Sequence, residues 1–456
     1  MNKTLLISVC LFLSASVLCH ADGPELPADS ITSAPDSIDA QITMRLNPEI
    51  YDDCRTGSFP GGARPDYSEY TFLQQDAGHI ELNGADWSQL SERFAAAQRG
   101  EALFPVVYLG DSHVQADFGG AILRSRLAEV AGSAGRGIII PYRLASTNEP
   151  GDYSFRLAED YVASKLMKMP WATEMPFTGV GVKPLADEFG VDLSCRTSFD
   201  RLRFLYSGEI PQVTTLTVGA DTVSPLAVTY TPGQVSISLP DTVGLLRVGF
   251  RPSGPMVIAG ADLYSGQSGT LVHSVGNNGA TFSSYGLVGN FGAGLASLSP
   301  ALVVIALGTN EAFGNVSDEA MLNNIDNLVG NIRRHNPSTA LLLVTPTECF
   351  RKIYRRRGKN RRRSAVTVVN TRTARMRQAI ADYARLNNIP LYDTYALAGG
   401  DGAAQSMRKA KVLSADGVHF SAAGYRLWGN LLADALLEIL SPSSFFTWNQ
   451  YDNSTR

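Results

Sequence analysis

At 456 residues, 44% of them hydrophobic and 18% charged, the chain is too long for one ordinary domain and can bury a large core. A formal net charge of only −4 gives no whole-molecule field for nucleic acid or an anionic membrane. Five cysteines are too sparse for a disulfide scaffold.

The first element is MNKTLLISVCLFLSASVLCHA, with Lys3, an apolar stretch Leu5–Leu18 and small residues at Ala21. Fourteen apolar residues fall short of the ~20 that span a bilayer, so 1–21 is expected to be a secretory signal peptide. The mature protein is then exported, to periplasm, cell envelope or medium, with no transmembrane span. Residues 22–85 read as a partly disordered leader, with Pro24, Pro27 and Pro35 among Asp and Ser. Cys54, Cys195 and Cys349 remain after cleavage, and their pairing is open.

Asp86-Trp87-Ser88-Gln89 has the pattern of an N-cap with Gln at N3. Trp87, Leu90, Phe94 and Ala97 mark one face of the helix that follows, and Gly100 ends it. Pro105–Leu109 is a buried strand, and 116–131 a helix. From 151 to 270 the pattern changes. VTTLTVGADTVSPLAVTY and QVSISLPDTVGLLRVGF are β-branched, alternating and broken by turns, which predicts an inserted β-sandwich. Strands return at Ala301–Leu307, Ala340–Val344 and Ile389–Tyr392, between helices at 318–335, 366–387 and 421–440. Continuous apolar strands between amphipathic helices predict a parallel sheet covered on both faces. The α/β domain is therefore discontinuous, 86–150 and 271–442, with a tail at 443–456. Within it, R-K-I-Y-R-R-R-G-K-N-R-R-R (351–363) is either a solvated loop or a basic flap that draws an anionic polymer to the cleft.

V-V-Y-L-G-D-S-H (106–113) puts Ser112 just beyond the carboxyl end of the first strand, where open α/β sheets bind ligands. Ser112 is a nucleophile, or Asp111 and His113 are metal ligands and G-T-N-E (308–311) faintly echoes a dimetal phosphoesterase. The second reading needs more histidine and carboxylate partners than these positions supply. A serine needs a base, and S-A-D-G-V-H-F-S places Asp416 three residues before His419. That spacing lets the carboxylate reach Nδ1–H and leaves Nε2 for the serine proton. Ser421 is placed to cap the next helix. Gly308 and Asn310 follow a core strand, and Asn310 either aims its amide at the site or caps a helix. In V-G-N-N-G-A-T-F, Gly279 can bring a backbone N–H close to a ligand.

Taken together, G-D-S-H (110–113), N-G-A-T around Gly279, G-T-N (308–310) and Asp416-x-x-His419 resemble the SGNH (GDSL) hydrolase family. The resemblance implies a flavodoxin-like three-layer α/β core with a parallel sheet, beside the inserted all-β, jelly-roll or carbohydrate-binding-like domain. It also implies Ser112 as nucleophile, His419 as base and Asp416 as its orienter. The Ser112 N–H, Gly279 N–H and Asn310 side chain would form the oxyanion hole. No cofactor or metal is implied. G-D-S-H in place of G-D-S-L, and the long insert, resemble the subgroup containing peptidoglycan O-acetylesterases. The expected activity is hydrolysis of small acyl esters, acetyl foremost, on an envelope or other glycan. A lipase-type acylhydrolase, an O-acetyltransferase and a catalytically silent carbohydrate-binding protein are the alternatives.

Overall fold

The computed structural model describes residues 64–357 and 362–442. The expected signal peptide, Cys54, the leader up to residue 63 and the tail from 443 lie outside them. In chain order the strands are β1 (Leu103–Gly110), β2 (Gly135–Ile139), β3 (Tyr153–Leu157), β4 (Tyr161–Lys165), β5 (Val180–Pro184) and β6 (Phe189–Gly208). Next come β7 (Pro211–Val218), β8 (Asp221–Thr222), β9 (Ala227–Thr231), β10 (Gln234–Pro252), β11 (Met256–Tyr264) and β12 (Gly269–Gly276). The last are β13 (Leu302–Ala306), β14 (Ala340–Val344), β15 (Phe350–Arg357), β16 (Arg362–Val369) and β17 (Leu391–Tyr392).

Five strands in the order β12-β1-β13-β14-β17 form an all-parallel sheet. Counted among themselves they run 2-1-3-4-5, the flavodoxin-like order, so the winding reverses beside β1. Alternate side chains go to opposite faces. Val107, Leu109, Val303, Ile305, Leu341 and Leu343 share a core with helices Asp318–His335 and Arg372–Leu386. Phe104, Val106, Val304 and Leu342 pack with helices Ser88–Gln98, Phe118–Ala131 and Ala422–Leu440. The three-layer core expected from the sequence is present.

Local boundaries differ where side-chain chemistry overrides periodicity. Residues 366–369, the start of the expected 366–387 helix, belong to β16 and pair with β15; the helix starts at Arg372. Val366, Thr367, Val368 and Val369 are β-branched and fit a pleated ribbon better than a first helical turn. The expected 116–131 helix runs Phe118–Ala131, and Asp117, whose φ is 61°, divides it from a short turn of helix before it, Ser112–Gln115. Asp86 caps from one residue further out, accepting Ser88 N–H at 2.8 Å, with Trp87 at the boundary position. Ser421 caps as expected, accepting Gly424 N–H at 3.1 Å. Residues 64–85 are ordered against the core: Phe72, Leu73 and Ile80 are buried, and Glu81 bridges to Leu391 beside β17.

Strands β2 to β11 make a ten-stranded antiparallel sheet, the all-β insertion. Its long strands β6 and β10 pair antiparallel along their length, with breaks in register between Ser238 and Val243 and between Val243 and Leu245. Phe204 and Phe250, far apart in that register, stack at 4.3 Å across the interior. Cys195, on β6, is a buried free thiol, as is Cys349, and burial pushes each up to about 11. Where this sheet meets the parallel one, buried Asp117 accepts from Arg136 at 2.6 Å, Arg124 at 3.1 Å and the Ser274 hydroxyl. Each buried charge there has a partner of opposite sign.

Gly110 and Gly276 face each other in register at the ends of β1 and β12. A Cβ on Gly276 would lie 2.2 Å from Gln115 N, and one on Gly110 would lie 2.4 Å from Val114 Cγ2. The turn Ser112–Gln115 thus sits directly on the sheet edge. Gly276→Ala is expected to cost on the order of 1–3 kcal/mol through overpacking against backbone, measured as a lower urea midpoint at unchanged m-value.

Candidate active site

Ser112 is the first residue of the helix Ser112–Gln115, immediately after β1 and Asp111. Asp111 closes the turn by accepting His113 N–H at 2.9 Å. From the loop before helix Ala422–Leu440, His419 reaches over so that its Nε2 lies 2.8 Å from Ser112 Oγ. Its Nδ1 lies 2.8 Å from Asp416 Oδ2. Asp416 also accepts Ser414 Oγ–H at 2.6 Å, Val418 N–H at 2.7 Å and His419 N–H at 3.0 Å through Oδ1. Partial burial opposes charge on this carboxyl, but the hydrogen bonds from His419, Ser414 and Val418 hold it well below the usual carboxylate range. An ionised Asp416 can only accept, so Nδ1 carries the imidazole proton and Nε2 is left to accept from Ser112. The structure therefore brings Ser112, His419 and Asp416 into one relay.

Asn310 and Gly279 also come to this end of the sheet. Asn310 Nδ2 donates to Asp111 Oδ2 at 3.1 Å and to Ala280 O at 3.0 Å. It occupies the boundary position of the short turn Glu311–Phe313 but makes no capping bond with its side chain. Gly279 adopts φ 79°, in the region that favours glycine. Beside it, the segment joining β4 and β5 approaches from the β-insert: a Cβ on Gly279 would meet Met167 Cγ at 3.7 Å. Asp111 and His113 diverge. The Asp111 carboxylate serves His113 N–H and Asn310, while the His113 ring lies among His419, Phe420 and Tyr425, 4.9–6.0 Å centroid to centroid. Burial, and then the neighbouring His419, push His113 down to about 3, so it is neutral at ordinary pH.

Three residues not singled out from the sequence fasten the loop that carries Gly279. Gln115 accepts Asn278 N–H at 2.6 Å. Asn277 donates to Thr178 O of the β-insert at 3.0 Å. Glu311 accepts Phe282 N–H at 2.7 Å. The N-N-G run and the Glu after G-T-N were visible in sequence, but their partners lie on other elements. A groove of about 750 Å³, lined by Trp87, Arg93, Arg333 and Asn388 among others, is at the opposite, amino end of the sheet and contains none of these groups.

Comparison with known proteins agrees with this architecture. Residues 258–427 match the GDSL-like Lipase/Acylhydrolase family. The solved structure titled "Peptidoglycan O-acetylesterase in action, 5 min" is 21% identical over 81% of this chain and 99% of its own, with a TM-score of 0.62, and shares the fold. A lipase/acylhydrolase from Enterococcus faecalis is 23% identical over 36% of this chain and 75% of its own, with a TM-score of 0.27. No curated protein matches by sequence.

Glu311 supplies a pH test of the loop. It is only 2% exposed, and burial, with Asp111 adding to it, outweighs the Phe282 N–H and pushes its carboxyl from 4.5 up to about 7. The folded state thus holds this proton more tightly than the unfolded chain. Its contribution to stability is complete below about pH 4.5 and is lost as pH rises through about 7. Glu311→Gln should remove that slope: relative to wild type, its unfolding free energy should gain on the order of 3 kcal/mol between those limits and level off above them. Urea unfolding at a series of pH values checks it; parallel curves would contradict it.

Proposed function

Since residues 258–427 match the GDSL-like Lipase/Acylhydrolase family, we propose that the chain is an exported serine esterase. It removes small acyl groups, acetyl foremost, from a cell-envelope or other glycan through an acyl-enzyme. The observation that carries this reading is the relay from Ser112 Oγ to His419 Nε2 to Asp416, 2.8 Å at each step, at the carboxyl end of β1.

Ser112 Oγ attacks the ester carbonyl carbon as His419 Nε2 takes its proton, and Asp416 steadies the imidazolium. The carbonyl oxygen becomes an oxyanion facing the Ser112 and Gly279 N–H groups, and the Asn310 amide joins them by giving up one of its two bonds, to Asp111 Oδ2 or to Ala280 O. Collapse breaks the bond to the sugar oxygen, which leaves with the proton from His419. Water then repeats the sequence on the acyl-serine, with His419 again as base, and releases the carboxylic acid. The chemistry needs no cofactor.

Two observations support a glycan as the acyl carrier. The all-β insertion contributes Met167 beside Gly279 and receives the Asn277 amide at Thr178, so it forms part of the site's wall. The structural neighbour with the same overall arrangement is titled a peptidoglycan O-acetylesterase.

Ser112→Ala and His419→Ala should each lower kcat on 4-nitrophenyl acetate by about 10⁴–10⁶, with folding unchanged by circular dichroism. Asn310→Ala should lose on the order of 10²–10³. Acetate release from O-acetylated peptidoglycan and from xylan, wild type against Ser112→Ala, tests the substrate. Equal release by both proteins would refute the role of Ser112, and a strong preference for octanoyl over acetyl esters would make the protein a lipase-type acylhydrolase instead.

A further inference from the structure

Of the basic run, the part in β15 is strand rather than loop, and its turn at 358–361 lies outside the described residues. Unpartnered cations also meet where the chain is fully described, in the groove of about 750 Å³ at the amino end of the parallel sheet. Clefts that take small ligands span about 300–1,000 Å³, so this one has the size of a binding site. Its walls include the start of helix Ser88–Gln98, the end of helix Asp318–His335 and the turn before β17. None of them carries a member of the Ser112 relay.

The groove offers donors that lack acceptors. The Arg93 guanidinium lines it and has no hydrogen bond or ion pair among the described residues. Glu92, beside it in sequence, is taken by Arg99 at 2.9 Å. Burial pushes Arg93 below its ordinary value, and no carboxylate opposes the shift. Burying a cation in part without a counter-charge is costly. Arg333 reaches only Asn387 O, at 3.5 Å. Its place in the last turn of a helix complements the dipole, which explains its charge but not that of Arg93. Trp87 is only 5% exposed and lines the groove, yet its indole N–H makes no hydrogen bond among the described residues. Unlike that of Trp428, this N–H is not sealed from solvent. Gln89 and Asn388 add two exposed amides, and Asp86, which accepts Ser88 N–H at 2.8 Å, adds an acceptor.

We propose that this groove is a second, non-catalytic site that holds a short stretch of a carboxylate-bearing saccharide. The guanidinium forks of Arg93 and Arg333 match carboxylates, and the Trp87 N–H supplies a third donor. The amides of Gln89 and Asn388 and the carboxylate of Asp86 serve sugar hydroxyls, which donate and accept at once. With its ring buried, Trp87 meets the ligand by its N–H edge rather than by stacking. Such a site anchors the protein on an acidic polymer at the far end of the sheet from Ser112. It stands whether or not the chain is an esterase.

The test is titration calorimetry of the full chain with trigalacturonate, maltotriose, triglutamate and citrate. Circular dichroism and turnover of 4-nitrophenyl acetate serve as controls for folding. Wild type should bind trigalacturonate saturably and more weakly as salt rises, and maltotriose hardly at all. Arg93→Gln should weaken trigalacturonate on the order of tenfold and Trp87→Phe about fivefold, both at unchanged turnover of 4-nitrophenyl acetate. Ser112→Ala should bind as wild type does. Absence of saturable binding, equal affinity for maltotriose, or unaltered affinity in Arg93→Gln would overturn the proposal. So would triglutamate or citrate binding as tightly as trigalacturonate, since the site would then read charge and not sugar. Loss of binding in Ser112→Ala would put the ligand at the other end of the sheet and overturn it too. If wild type binds trigalacturonate through Arg93 yet hydrolyses no ester, the esterase reading fails and the groove's role stands.

Discussion

The site depends on two places where the chain has no room for a Cβ. Gly110 ends β1, Gly276 ends its parallel neighbour β12, and the turn bearing Ser112 lies on both. Any side chain at either position would lift that turn and move Ser112 Oγ away from His419 Nε2, now at 2.8 Å. Hydrogen bonds lose their value steeply beyond their normal range, so a shift of an ångström here would break the relay. The reversal of strand order beside β1 supplies the crevice above this point, and the two glycines let a serine reach it.

Around that contact the molecule assembles polar groups from distant parts of the chain, each held by another. Asp416 is fixed by its own loop before it meets His419, and Asp111 is shared between the Ser112 turn and Asn310. The Gly279 loop is held from three directions, by Gln115, by Asn310 with Glu311, and through Asn277 by the β-insert. A loop with φ 79° at its centre gains its geometry from these bonds rather than from its own preference. They also give the insertion a structural reason to stand between β1 and β12 in sequence: it returns the chain to the sheet while one of its segments borders the site.

Much of the fold was legible because it rests on short-range pattern. Val106–Leu109, Leu302–Ile305 and Leu341–Val344 announce buried parallel strands by unbroken apolarity, and Ile325, Leu328 and Ile332 announce a helix by their spacing. The candidate residues were legible too, since G-D-S-H, G-T-N and D-G-V-H combine strand ends, glycine and polar chemistry in a specific order. Where the reading slipped, long-range pairing was the cause. Val366–Val369 joined a helical window by composition, but the partner strand Phe350–Ile353 draws them into a ribbon. Asp117 looked like an ordinary helix residue until Arg136, Arg124 and Ser274 showed it as the breakpoint at the junction of two sheets.

The sequence by itself determined the α/β core, the all-β interruption and the candidate reactive side chains, because apolar periodicity and local spacing encode them. Tertiary structure alone decided which groups meet: His419 crosses 307 positions to reach Ser112, and Gln115 crosses 163 to hold the Gly279 loop. It also paired Phe350–Arg357 with Arg362–Val369 and set Phe350 against the Asp416–His419 loop. The physical reason is that hydrogen bonds and steric exclusion act over a few ångströms in space. Sequence patterning predicts the elements that bring groups within that distance, but only their packing shows which atoms arrive there.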